Sequence, residues 1–314
     1  MEFRQFRYLL KIAEEGSISQ AAQKLYVSQP SLSQLLTSVE KKIGAQIFDR
    51  STSPLRPTLI GTLYLQTAQQ ILDLAKEFRH EADDMLNVRT GHVKAGSSPF
   101  RTTHLLAPFL PTFQKNYPGI EVSLYEDTTL GLEQAVLHGV ADFAVSLLPI
   151  DEKVFDYAPL FDEEVWLVLP PTHPAVQKYH LVAGDCKVLP ECPLDVLQNT
   201  PLVLMQKEQK MHAMALALCQ AAGFTPKVQL ETRSMGAALA MAGAGIGATL
   251  LPNTPIQRTH PQPAPCYARL PQHPLRHVVI LWRRNRYLSR ATRLFIEELR
   301  AYVQTKPKAQ DFIV

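Results

Sequence analysis

The 314-residue sequence has no run of 18 apolar residues, so nothing in it reads as a membrane-spanning helix. It holds only four cysteines, Cys186, Cys192, Cys219 and Cys266, with no C-x-x-C among them. The DCKVLPEC stretch keeps a redox or metal role for Cys186 and Cys192 open, beside the plainer reading of reduced thiols. Ten scattered histidines form no H-x-x-x-H pair on a helical pattern, so no metal and no cofactor are expected. Enzyme signatures are missing too: there is no G-x-S-x-G, no P-loop, and no G-x-G-x-x-G after a strand. Gly243 to Gly247 (GAGIG) precedes a strand and opens no helix, which argues against a dinucleotide site. The first residues form a charged amphipathic pattern, unlike a signal peptide with its unbroken apolar stretch. A cytoplasmic protein that is not an enzyme is expected.

What the chain does have is length for two or three domains and 46% hydrophobic residues to fill their cores. Its formal net charge is only +3, but the charge is unevenly spread. Within residues 1–60, eight cations face five acids. Such an excess can steer toward a polyanion, while specificity must come from shape and direct contacts.

The most informative stretch is residues 16–61. Residues 1–15 precede it as an amphipathic helix offering Phe6, Leu9, Leu10 and Ala13 to a core. A second helix opens at Ser17, with Gln20 placed for a capping box and Ala21–Ala22 small enough for close packing. Val27 ends a turn, Ser28 caps a third helix, and Pro30 fits its first turn. Leu32, Leu36, Val39 and Ile43 make one apolar face of that helix. Gln29, Ser31, Ser33 and Gln34 remain on the other, where amides and hydroxyls can bond base edges or phosphates. Residues 49–58, with two prolines and two arginines, fit a wing. Arg50 and Arg56 are candidate DNA contacts, with a structural salt bridge as the alternative for each. The whole reads as a winged helix-turn-helix that places one helix in the DNA major groove.

This stretch resembles the N-terminal domain of LysR-type transcriptional regulators. The resemblance rests on Glu15-Gly16-Ser17, Ala21-Ala22, Leu25, Val27-Ser28-Gln29-Pro30, Leu32-Ser33, Glu40, Gly44, Phe48, Arg50, Thr58 and Gly61, with Phe3, Phe6 and Ala13 ahead of them. It implies a bacterial regulator that binds promoter DNA and responds to a small-molecule effector, with RNA polymerase as a further candidate partner. Gln34 stands where many members carry Arg, Leu35 where many are polar, and Leu59-Ile60 where many have Glu-Ala. The last difference removes a carboxylate from a helix start, a loss of about 0.3–1 kcal/mol.

From Leu59 to about Val88 there is no proline, and Gly61 is the sole glycine. A helix of that length is expected to bury a seam of Leu65, Ala68, Leu72, Ala75, Phe78 and Ala82. The resemblance implies that it pairs with its copy in a homodimer or tetramer; packing within its own subunit is the alternative. The expected domains are therefore 1–58, a linker helix at 59–89, an effector domain at 90–304 and a tail at 305–314.

Beyond Gly91 strand patterns alternate with helical ones, which predicts α/β architecture with parallel sheets. Eight strands are expected, at 92–95, 120–125, 143–147, 165–169, 202–205, 228–231, 248–251 and 278–282. Two subdomains are expected, about 90–162 with 270–304, and about 163–269, the chain crossing near 160–162 and 261–270. This half resembles the family's effector domain, which shares its fold with periplasmic solute-binding proteins, through Gly96-Ser97, Phe109-Leu110, Phe113, Tyr117 to Ile120, Gly139 to Ala144 and Gly243 to Ala248. A free solute-binding protein is the alternative for this half alone.

In open α/β sheets ligands bind beyond the C-terminal ends of strands. That rule selects Ser97, Ser98, Phe100 and Arg101 after the first strand, Thr128 and Thr129 after the second, Leu147 after the third, and Gln206 after a later one. Ser234, beside Arg233 at a helix start, can face the same crevice. Each hydroxyl alone is also an ordinary helix cap. Convergence on one crevice favours a small, anionic effector.

Overall fold

A computed structural model describes residues 2–86 and 91–305; residues 87–89 of the expected linker and 306–314 of the expected tail lie outside the described residues. Two units separate at residue 87. In the first, α1 (Phe3–Glu15) is followed by α2 (Ile18–Lys24) and α3 (Gln29–Ile43), then β1 (Phe48–Asp49), β2 (Arg56–Pro57) and α4 (Leu59–Leu86). Ser17 caps α2 by accepting from the Gln20 N–H at 3.4 Å, so of the expected capping box the Ser17 half is present. Ser28 caps α3 through the Ser31 N–H at 3.3 Å. Leu9, Ile12, Ala21, Ala22, Leu32, Leu36 and Val39 meet Ile47, Phe48 and Leu65 in one core. The strands pair antiparallel, Asp49 opposite Arg56, and form the wing. Its Leu55 N–H bonds the Gly16 carbonyl at 2.8 Å. Gly16 has φ +60°, and a Cβ there would press on Pro54 at 2.8 Å, so only glycine suits this contact.

The second unit begins with β3 (Gly91–Ser97), α5 (Pro99–Arg101), a π turn at Thr102–Leu106, and α6 (Ala107–Asn116). Then come β4 (Ile120–Glu126), α7 (Thr129–Leu137), β5 (Phe143–Leu147) and the long β6 (Phe155–Leu169). The chain continues through α8 (Pro174–Lys178), a 3-10 turn at Leu194–Leu197, β7 (Pro201–Met205), α9 (Lys210–Ala221), β8 (Lys227–Thr232), α10 (Met235–Gly243), β9 (Thr249–Pro252) and α11 (Asn253–Arg258). It ends with β10 (Cys266–Arg269), β11 (Leu275–Arg283) and α12 (Arg290–Thr305).

Two subdomains share β6. Its first part pairs with β11 in a sheet ordered β6-β11-β5-β3-β4, and its last residues pair with β9 and β10. β7 and β8 form a parallel pair joined to that second sheet by the Leu202–Ala248 bridge. Phe109, Phe113, Phe143 and Phe295 anchor one core; Leu167, Leu204, Leu239 and Leu251 lie in the other. The expectation of parallel sheets holds for β3-β4, β3-β5 and β7-β8, but β11, β9 and β10 all run antiparallel to β6. The crossings also move. Residues 160–162 lie inside β6, beside a register shift between its Pro159 and Phe161, and the hand-off comes at Glu164–Val165. Residues 266–269 are strand β10, so the return runs from Leu270 to Pro274. A single continuous strand carries the first passage, longer than the expected 165–169 because it begins at Phe155.

Candidate functional site

On the first unit, α3 presents Gln29, Pro30, Ser31 and Gln34 to solvent beside its exposed cap Ser28; Ser33 is half-buried and offers less. Tyr26, in the turn ahead of them, is 96% exposed. Arg56 on β2 is exposed, with no ion pair among the described residues. Arg50 is different. Its Nη2 meets Glu40 Oε2 at 2.8 Å, while Glu40 Oε1 accepts the Ile47 N–H at 2.9 Å. Glu40 is 8% exposed, so Arg50 completes a structural cluster that holds the wing to α3. The salt-bridge alternative is realised at Arg50, with half of its side chain still open to solvent.

On the second unit, a cavity of about 620 Å³ opens between the subdomains. Ser98, Phe100, Arg101, Thr128, Thr129, Leu147 and Ser234 line it, as the strand-end rule expects. Ser98, Thr128 and Ser234 do act as caps, accepting from the Arg101, Gly131 and Ala237 N–H groups at 3.4, 3.3 and 3.2 Å. Capping uses a lone pair of each oxygen and leaves its hydrogen available to donate. Cap and ligand contact are therefore compatible roles.

Two expected contacts do not reach the cavity. Ser97 ends β3 facing inward, fully buried. Gln206 accepts from Arg233 Nε and stands outside the lining. The chain makes one more turn after β7, so the lining comes from Gln209, Lys210 and Met211 at the start of α9. Lys210 Nζ reaches across to the other subdomain and bonds Glu133 Oε1 at 2.7 Å and the Leu147 and Pro149 carbonyls at 2.6 Å each.

Sequence reading also missed Arg276. It sits on β11 opposite Glu163 of β6, close to the hand-off between subdomains. Glu163 Oε2 accepts from Arg101 Nη2 at 3.0 Å and lies 3.9 Å from Arg276 Nη2. Arg101 and Arg276 are each 7% exposed and Glu163 only 2%. Burial lowers the Arg276 pKa to about 10, with Glu163 opposing and Arg101 adding to the shift, so the group stays cationic at neutral pH. The missed signal was its phase: Arg276 shares a strand face with Val278 and Ile280, both core residues.

The sequence profile of the LysR substrate binding domain matches residues 87–304, and that of the bacterial regulatory helix-turn-helix protein, lysR family, matches residues 3–62. The chain belongs to the LysR family of bacterial transcriptional regulators. Among relatives of this LysR-type regulator is the transcriptional dual regulator GltC of Bacillus subtilis, 30% identical over 83% of this chain and 84% of its own. A full-length OxyR variant from Pseudomonas aeruginosa superposes with a TM-score of 0.68 at 25% identity, covering 97% of this chain and 95% of that one. CbnR, solved in complex with its target DNA, shares the fold with a TM-score of 0.63 at 21% identity, covering 96% and 99%. The family consists of DNA-binding transcriptional regulators with an effector-binding domain, and not of enzymes.

In this LysR-type regulator the start of the expected linker seam is buried, and at Leu65 by its own unit, the alternative to pairing with a copy. Leu65 is 8% exposed because it packs into the core of its own DNA-binding unit, and Ala68 is 0% exposed. Leu59, Leu63, Leu74 and Phe78 are instead 90%, 65%, 63% and 72% exposed. Gly61 explains part of the fit: a Cβ there would collide with the Ile47 carbonyl oxygen. The four cysteines are free thiols. Burial raises Cys186, Cys192 and Cys219 to about 11, so all three are protonated at neutral pH. Among the described residues no cluster of three or more His, Cys, Asp or Glu side chains could hold a metal, and no helix is long and apolar enough to cross a membrane.

Proposed function

We propose that this regulator acts in the cytoplasm as a homodimer or tetramer whose promoter affinity is set by a small anionic effector in the inter-subdomain crevice. The charge inventory of that cavity carries the reading: Arg101, Lys210, Arg233 and Arg276 line it against Asp127 alone, with cap hydroxyls as further donors. Gln29, Ser31, Ser33 and Gln34 then read bases or phosphates, while Ser28 and Pro30 set the helix start and Arg50 and Arg56 meet the backbone from the wing. The exposed Leu59, Leu63, Leu74 and Phe78 stripe of α4 is the surface available for pairing with a second copy. An effector shifts the DNA-bound arrangement only through different affinities for two states, a coupling of about 1–3 kcal/mol. The test is footprinting on DNA upstream of the chain's own gene, with and without anions selected by thermal shift. Protection that changes with an anion supports the reading. An unchanged footprint with every stabilising anion rejects it.

A further inference from the structure

The cavity floor carries a charge imbalance that the protein's own groups leave standing. Among the described residues Glu163 is the one carboxylate within ion-pair range of two buried guanidiniums, and Arg101 holds its Oε2 at 3.0 Å. Arg276 is left with that oxygen at 3.9 Å and with the thioether of Met211, 3.5 Å from its Nη1. A thioether is a weak acceptor, so a group with five donors and 7% exposure has no strong acceptor of its own and meets the cavity with its remaining donors. A buried charge in that condition is costly unless something else completes it.

Of the other lining cations, Arg101 and Lys210 are ion-paired, and Arg233 is exposed to solvent. All three donors of Lys210 are used on Glu133, Leu147 and Pro149, and Arg233 bonds Gln206. Asp127, also in the lining, repels a second negative group. Phe100, Leu147, Met211 and Met235 give the rest of the lining its apolar surface, beside hydroxyls such as Ser98 and Thr128. The geometry points to Arg276 as the anchor for the effector's anionic group, and to a monocarboxylate with an apolar body as its chemical class. This rests on the crevice reading above. A planar guanidinium matches a carboxylate edge to edge, through two parallel N–H···O bonds. A compact inorganic dianion leaves the apolar surface unfilled and needs a second buried, unpaired cation beside Arg276. A dicarboxylate brings its far end toward Asp127.

The experiment titrates the full-length protein by calorimetry with benzoate and octanoate, with neutral benzamide, and with sulfate and succinate. Benzoate or octanoate is expected to bind at least about tenfold more tightly than benzamide, the scale of one charged hydrogen-bonding pair. Arg276→Met is expected to abolish that preference. It also leaves a one-to-one Arg101–Glu163 pair, so the ligand-free variant melts at a higher temperature than wild type, whereas loss of a purely structural arginine lowers it. Arg276→Lys restores the charge without the fork and recovers part of the preference. Carboxylates that bind no better than benzamide, or a preference that survives in Arg276→Met, overturn the assignment. If sulfate or succinate binds more tightly than both monocarboxylates, the anion-binding crevice stands and the monocarboxylate class falls. Binding of benzamide alone removes both.

Discussion

In the DNA-binding domain Glu40 faces one arginine and uses its second oxygen on backbone N–H groups. In the effector domain Glu163 faces two arginines and can complete only one. The first cluster is balanced, half of its Arg50 side chain is exposed, and it fastens a wing. The second is buried, carries one positive charge too many, and lines a cavity. The same residue pair thus serves as a fastener where its charges cancel and as a receptor where they do not. Arginine–glutamate proximity alone tells neither role; the charge count and the acceptors around it do.

The comparison can be broken hardest at Glu163. Glu163→Ala strands two guanidiniums in a dry site and should cost about 3–5 kcal/mol, seen as early melting of the effector domain alone in chemical denaturation. Glu40→Ala should cost about 2–4 kcal/mol, because the Ile47 N–H loses a charged acceptor in the core, and the DNA-binding domain should unfold first. Equal losses distributed over both domains in either variant would contradict the separation.

Smaller effects sharpen it. Gln29→Ala should lower discrimination between operator and random duplex by about 1–3 kcal/mol without moving the melting curve. The half-buried Ser33 should show less in Ser33→Ala. Arg50→Ala should cost at most about 1 kcal/mol of stability, since its partner keeps a backbone bond and its own side chain is half exposed. A larger loss in DNA affinity than in stability would give Arg50 a backbone contact as well as its structural role.

The smallest expected effect is at the return crossing. His273 Nδ1 bonds Glu164 at 2.7 Å and its Nε2 meets Glu191 at 3.2 Å, with Arg269 also on Glu164. The Glu164 bond raises the His273 pKa above 6.5. That contribution is complete below 6.5 and is lost as pH rises through the folded-state value. Burial opposes the Glu164 charge, yet its bonds from His273 and Arg269 leave its pKa below 4.5, so its share is lost only in acid. The melting-temperature gap between wild type and His273→Gln should therefore narrow as pH rises from 6.5, and a widening gap would show the opposite coupling.

Much of this was legible in the residues. The Leu32, Leu36 and Val39 face, the caps Ser17 and Ser28, and the strand-end loops at Ser98, Thr128 and Leu147 all follow from spacing and local chemistry. Arg276 and Lys210 did not, because neither belongs to a short motif: one becomes a site residue through antiparallel pairing, the other by reaching across a crevice. The cover of the linker seam stayed open in the sequence for a related reason. A stripe of Leu65 and Ala68 says that a face is buried, but not whether its own domain or another chain covers it.

Strand β6 has a mechanical consequence. At about 3.3 Å per residue its 15 residues extend about 50 Å, and no hinge loop interrupts them on the outward passage. The two lobes are joined by a torsion bar. They can rotate only as far as a laddered strand will twist, and the register shift beside Leu160 is the place where added twist is easiest to absorb. Opening the cavity is then an elastic deformation with a restoring torque, and an occupant seated on Arg276 of β11 loads the strand laddered to the bar, close to where β6 passes from one sheet to the other.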